Sequence, residues 1–219
     1  MATRILIVLL LVTVPASAVA QEYGIKGGLT LANVNARHPA HLPLELQWCC
    51  SPWDGTRVDP AVGVSAGWNV GPGVAIQAEV LFVQRGFNIG ATREQPGAAL
   101  RMSYIELPAV VQYVGGLVRV FAGGSLGIRT STHQSSSARD PGNDYLDRRR
   151  LADIDASIVI GASLHRGRVS LEGRYAHGVR SVIRDAPAES SLHHKSLMML
   201  VGYRLAGPGC TTEDPPRRR

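Results

Sequence analysis

The sequence predicts an all-β fold: an eight-stranded antiparallel β-barrel that crosses a membrane. Three observations carry that expectation. Apolar and polar residues alternate with a period of two in eight segments, the links between those segments alternate long and short, and ionisable side chains gather on one face of the alternation. A period of two is the mark of extended chain, because successive side chains of a strand point to opposite faces.

The segments follow in order. In 23–33, Tyr23, Ile25, Leu29 and Leu31 share a face against Lys26, Gly28 and Thr30. In 61–70, Val62, Val64, Ala66, Trp68 and Val70 oppose Gly63, Ser65, Gly67 and Asn69. In 74–85, Val74, Ile76, Ala78, Val80 and Phe82 oppose Gln77, Glu79 and Arg85. In 104–113, Ile105, Leu107, Ala109, Val111 and Tyr113 oppose Tyr104, Glu106 and Gln112. In 118–130, Val120, Ala122, Leu126 and Ile128 oppose Arg119, Ser125 and Arg129. The last three segments, 154–164, 169–179 and 196–205, set Ile158, Leu171 and Met199, among others, against Asp155, Glu172, Arg174 and Arg204. Each is close to the roughly 9–11 residues that a tilted strand needs to cross a bilayer.

The links 36–59, 90–101, 131–153 and 180–195 are long and polar, whereas 71–73, 114–117 and 165–168 are short. Short periplasmic turns and long external loops on an even strand count are the arrangement of outer-membrane barrels. A soluble sandwich has no reason to place every long loop at one end.

Charge decides which face meets lipid. Lys26, Glu79, Arg85, Glu106, Arg119, Arg129, Asp155, Glu172, Arg174 and Arg204 lie on one face, and His177 is the main ionisable residue on the other. An Arg or Lys facing hydrocarbon at mid-depth costs about 2–4 kcal/mol, so the charged face belongs inside. A soluble barrel with an apolar ligand cavity is the alternative with the same alternation. Against it stand Tyr23, Trp68, Tyr113, Tyr175 and Tyr203, near strand ends on the apolar face like an interfacial girdle.

Residues 1–20 read as a cleavable export signal, with Arg4, an apolar run over 5–14 and Ala18-Val19-Ala20 before the cut. The barrel is expected over 21–205 and a short tail over 206–219. The full chain carries a formal charge of +6, which Arg4 would reduce to about +5, and its basic runs 148–150 and 217–219 lack interleaved aromatics. Nucleic acid is therefore not an expected partner. Cys49, Cys50 and Cys210 form no disulfide framework, and no metal-ligand spacing surrounds them.

The chain resembles the outer-membrane β-barrel domain family often labelled PorT-like. The resemblance rests on 24–30 (GIKGGLT), 77–86 (QAEVLFVQRG), Tyr104-Ile105-Glu106-Leu107-Pro108, Asp155 with Gly161-Ala162, Glu172-Gly173-Arg174-Tyr175 and Gly202-Tyr203-Arg204-Leu205. It implies a location and an architecture more than an activity. Closure on Leu205, where such barrels usually end on an aromatic, and the Cys49-Cys50 segment depart from the pattern.

No catalytic residue, cofactor or metal site is expected. His177 is the one histidine inside a proposed strand, with no nucleophile motif beside it; His38, His41, His133 and His193-His194 fall in the long links. Gly115-Gly116 and Gly123-Gly124 read as strand-packing sites with no phosphate-loop context. The candidate site is a polar lumen network of Lys26, Glu79, Arg85, Glu106, Arg119, Asp155, Glu172 and Arg174, with Arg85 and Arg119 as the expected partners of Glu106. Outer-membrane lipid is the expected surrounding, and the external loops 36–59 and 131–153 are the expected contacts for a surface ligand or envelope protein. A non-enzymatic structural or surface-interaction role leads, a narrow solute channel comes second and a lipid-modifying enzyme third.

Overall fold

The computed structural model describes residues 21–36, 57–89, 98–134, 152–181 and 192–207. The expected export signal, most of the C-terminal tail, all three cysteines, His38, His41 and the basic run 148–150 lie outside the described residues. Among the described residues the chain forms eight strands: β1 (Glu22–Ala36), β2 (Arg57–Gly71), β3 (Val74–Ile89), β4 (Ala98–Gly115), β5 (Val118–Gln134), β6 (Ile154–Arg166), β7 (Val169–Gly178) and β8 (Leu192–Ala206). Each pairs antiparallel with the next, and β1 pairs with β8, from Tyr23↔Ala206 to Ala36↔Leu192, to close the barrel.

Closure follows from the alternation. Every strand has one apolar face that needs lipid and one mixed face that needs protein around it, and a ring leaves no unpaired edge. Ile25, Val64, Val80, Val111, Val120, Ile160, Leu171 and Val201 are exposed on the outside. The turns at one end are two residues long, and Gly73, Gly116 and Gly167 hold positive φ there (72°, 65° and 60°), the backbone conformation such tight reversals require. Gly116 is thus a turn residue, not a strand-packing site.

The strands run further than the hydrophobic pattern. Arg57–Asp59 belong to β2, 98–103 to β4, 131–134 to β5 and 192–195 to β8, all at the end where the long links were expected to begin. The ladder needs backbone partners rather than apolar side chains, so it continues where polar residues meet water. His133, His193 and His194 therefore lie on strands, not in loops, and His165 lies on β6. Between β4 and β5 the register shifts at Ser103/Tyr104, and Met102, Ser103 and Tyr104 are all buried in sequence. Such a bulge re-aims side chains locally and breaks the period of two.

Candidate functional site in the barrel lumen

The inward positions bring together most of the residues expected there. Lys26 on β1 places Nζ 2.6 Å from Glu79 Oε1 of β3 and 2.5 Å from Glu172 Oε2 of β7. Arg174 on β7 brings Nη1 within 2.8 Å of Glu79 Oε2, donates through Nη2 to Glu79 Oε1 at 3.0 Å and through Nε to Glu172 Oε1 at 2.6 Å. The four side chains make a closed square of two cations and two anions, each cation touching both anions. Gln77 Nε2 adds a bond to Glu79, and Gln112 Nε2 donates to Gln77 Oε1 at 2.7 Å. The Phe121 ring lies 5.6 Å from the Arg174 guanidinium carbon, within cation–π reach.

A second group lies towards the long-link end. Arg85 Nη2 is 2.6 Å from Glu106 Oε1, and Arg85 Nη1 is 3.3 Å from Asp155 Oδ2. One guanidinium serves two carboxylates here. Arg119 does not join them: it stands at the turn end of β5, opposite Val114, whereas Glu106 lies opposite Gly127. Arg119 instead meets Glu22 of β1 at 3.1 Å, and Arg204 Nη1 reaches the same carboxylate at 3.7 Å. Sequence reasoning missed Glu22 because it precedes the first alternating segment. It also missed Asp59, held by Arg57 at 3.3 Å and Arg101 at 3.2 Å at the opposite mouth. Arg129, placed inward as expected, binds Asp153 at 2.8 Å near the same mouth.

His194 was the least legible residue. It is 1% exposed, its ring meets Tyr104 edge-on at 5.9 Å, and Tyr104 Oη lies 3.4 Å from both His194 Nε2 and Met102 Sδ. Only the bulge in β4 and the extra length of β8 bring these residues together. The lumen is also less polar than its sequence suggests. Ala61, Leu81, Val83, Met198 and Leu200 form one buried apolar cluster, and Val110, Phe121, Val159 and Ala176 form another.

Ring position gives these pairs their geometric meaning. β3 and β7 stand four places apart in a ring of eight, as do β1 and β5. The contacts Arg174–Glu79 and Arg119–Glu22 therefore span the full width of the lumen, at two different heights. An eight-stranded barrel is just wide enough for side chains to meet in this way. Below the square, at the turn end, lies a vestibule lined by Glu22, Lys26, Ser163, His165, Glu172 and Arg204. Ser163 Oγ and His165 Nε2 are 2.9 Å apart in it. His177, by contrast, faces outward, stacked between Tyr175 at 6.4 Å and His193 at 6.5 Å.

Comparison with known proteins agrees with this architecture. Neisserial surface protein A shares the fold, with a TM-score of 0.50 and 12% identity over 83% of this chain and 96% of that one. The Yersinia pestis attachment invasion locus protein Ail, solved with the heparin analogue sucrose octasulfate, aligns over 85% of this chain and 99% of its own at 11% identity and TM-score 0.47. OprG of Pseudomonas aeruginosa aligns over 86% and 97% at 8% identity and TM-score 0.43. No curated protein matches by sequence. The family model described as outer membrane protein beta-barrel domain matches residues 19–184, which take in β1 to β7. The chain belongs to the outer membrane protein beta-barrel domain family.

Proposed function

We propose that this outer-membrane barrel is a non-enzymatic protein whose lumen is sealed by ion pairs and whose external segments 36–59 and 131–153 carry a structural or surface-interaction role. The seal rests on one observation: Arg174 and Glu79, on opposite strands, touch at 2.8 Å inside a charge-balanced square. Surface interaction rests on the unequal links, since the long ones all leave the same end and offer the residues free to vary without disturbing the barrel. The finer family assignment is PorT-like, on the Tyr104–Pro108 pattern and the segments around Lys26, Glu79 and Glu172. Export uses residues 1–20 as a cleaved signal, so N-terminal sequencing of the mature protein should begin at Gln21. Planar-bilayer recording tests the seal: purified barrel should give no stable current steps, and regular steps would make a narrow channel the better reading.

The channel reading has its own support in the vestibule, which opens the turn end of the lumen as far as Lys26 and Glu172. Catalysis has less. His177 packs in a stack of rings, and the hydroxyl nearest an imidazole among the described residues, Ser163, is 3% exposed. Serine catalysis needs a nucleophile that substrate can reach and donors poised for the oxyanion. A fluorophosphonate probe should leave Ser163 unlabelled, and His177→Ala should leave envelope lipid composition unchanged.

A further inference from the structure

The outer surface holds a second pattern that the lumen network does not use. Along β6, β7 and β8 the outward positions are apolar or glycine from Ile154 to Leu164, from Val169 to Tyr175 and from Leu197 to Leu205. The exceptions are Arg166 at the turn end, and His177, His193 and Lys195 at the other. These three adjoin. His177 stands directly opposite Lys195 in the β7–β8 register, and its ring stacks on His193 with centroids 6.5 Å apart and planes 16° from parallel. Arg180, exposed just past β7, adds a further cation. No acid shares this face among the described residues: Asp153, at the head of β6, is held by Arg129 at 2.8 Å.

The height of the cluster is informative. From Val169 to His177 the strand advances eight residues, about 27 Å along its axis at roughly 3.4 Å per residue. A tilt of about 40° reduces this to roughly 20 Å along the membrane normal, close to the ~25 Å apolar band of such barrels. Arg166 and the histidine–lysine cluster thus mark the two edges of the hydrocarbon, and the cluster sits at headgroup level. Lys195 and the His177 ring stand side by side across the β7–β8 pair, with the His193 ring stacked on His177, so an ammonium and imidazole nitrogens are gathered at one place on the outer face. The ring of His193 is held in place, since its Nδ1 lies 3.1 Å from the Gly178 carbonyl oxygen, which accepts a hydrogen bond from it.

We infer that His177, His193 and Lys195 form a binding site for the phosphate of an outer-leaflet lipid headgroup. A phosphate offers several strong acceptor oxygens, which suit an ammonium and two imidazoles converging from neighbouring strands. The lipid's chains then lie along the apolar outer face of β7 and β8 below, against Tyr175, Leu197 and Met199. The outer-leaflet assignment rests on the reading that the long links face outside, and an epitope inserted in 182–190 and detected on intact cells checks that orientation separately.

The phosphate site itself is tested on purified, folded barrel in dodecyl maltoside micelles, with native mass spectrometry counting retained lipid. The probes are lipid A and the same lipid with its phosphates removed. Wild type and Arg166→Gln should retain lipid A in preference to the dephosphorylated form, and the combined His177→Gln, His193→Gln and Lys195→Gln variant should lose that preference. Lys195→Gln alone, read if the combined variant does not fold, should weaken retention about fivefold, the equivalent of about 1 kcal/mol for one cation at an anionic membrane surface. Equal retention of the two lipids by wild type overturns the proposal, as does unchanged retention by Lys195→Gln. A cluster that binds a soluble sulfated glycan but not lipid A also overturns it and makes the site a receptor for external polyanions.

Discussion

Arg174 of β7 and Glu79 of β3 meet at 2.8 Å from opposite sides of the barrel, with both side chains essentially inaccessible to water. Charges taken out of water at this depth stay together only where each has several partners. Glu79 also receives Lys26, and Arg174 also holds Glu172. The square is neutral as a whole, and no member of it can be removed without leaving the rest unbalanced.

A double-mutant cycle makes that balance measurable. Arg174→Met leaves Lys26 facing two carboxylates, and Glu79→Leu leaves two cations facing Glu172 alone. Each single change should destabilise the barrel by about 3–5 kcal/mol in urea unfolding from detergent, the usual cost of orphaning one partner of a buried pair. The double change leaves Lys26 and Glu172 as a neutral pair at 2.5 Å, and apolar replacement of a complete ion pair is often close to neutral. The double variant should therefore be more stable than either single one. Additive losses would show that the square is not a coupled unit.

How much of this was legible depends on which physical rule governed each residue. Lys26, Glu79, Glu172 and Arg174 sit in unbroken alternation within the hydrocarbon band, where a charge on the wrong face is heavily penalised, so periodicity alone places them. His193 and His194 lie beyond the band, where hydropathy no longer constrains a strand, and the pattern stops although β8 does not. Tyr104 was placed inward correctly, but its contacts with Met102 and His194 depend on a register shift that no period-two reading contains. The mispairing of Arg119 has another cause. Adjacent strands limit which residues can meet, but height along the barrel decides which do, and sequence alternation carries no information on height. The assignment of Glu22 to Arg119 needed the register.

The upper group should respond unequally to substitution because Arg85 serves both Glu106 and Asp155. Arg85→Ala strands two carboxylates and should be the most damaging change. Glu106→Ala leaves Asp155 as a partner for Arg85 and should cost less, though still about 3 kcal/mol as a broken buried pair. Glu106→Gln keeps a hydrogen-bond acceptor and should fall between Glu106→Ala and wild type. Asp155→Asn relieves a surplus of negative charge and should be the mildest. Arg166→Gln, on the exposed outer face, serves as the control for unfolding temperature. If Glu106→Ala melts like that control, Glu106 is solvated and the lumen is open to water.

Two glycines of neighbouring strands should behave in opposite ways. A Cβ on Gly161 would come within 2.4 Å of the Phe121 ring and 2.5 Å of the Gly173 carbonyl oxygen, whereas a Cβ on Gly173 would meet nothing within 4 Å. Gly161 therefore makes the room in which Phe121 lies beside Arg174. Gly161→Ala should cost about 1–3 kcal/mol, as overpacking of a filled interior does. Gly173→Ala should be neutral or slightly stabilising, since it points outward and restricts the unfolded chain. Similar losses at both positions would mean that backbone flexibility, not packing around Phe121, accounts for the glycine in β6.

The two lumen-spanning contacts act in series, which predicts how conductance should respond to their removal. Glu22–Arg119 lies at the turn end and is partly reached by solvent, while the Arg174–Glu79 contact of the square lies deeper and is inaccessible to water. An ion crossing the barrel must pass both heights, so the narrower one sets the current. Combined Glu22→Ala and Arg119→Ala should enlarge the vestibule and cost less than the roughly 3–5 kcal/mol of breaking a buried pair, since both partners are removed together. It should give no current steps in a planar bilayer, because Lys26, Glu79, Glu172 and Arg174 still meet across the lumen. Glu79→Leu with Arg174→Met, added to those two changes, removes the direct contact between opposite strands at the second height. If the barrier is this contact, steps should emerge only in the fourfold variant. Steps in the Glu22, Arg119 variant alone would move the barrier to the turn end and leave the square as a stabilising element without a sealing role.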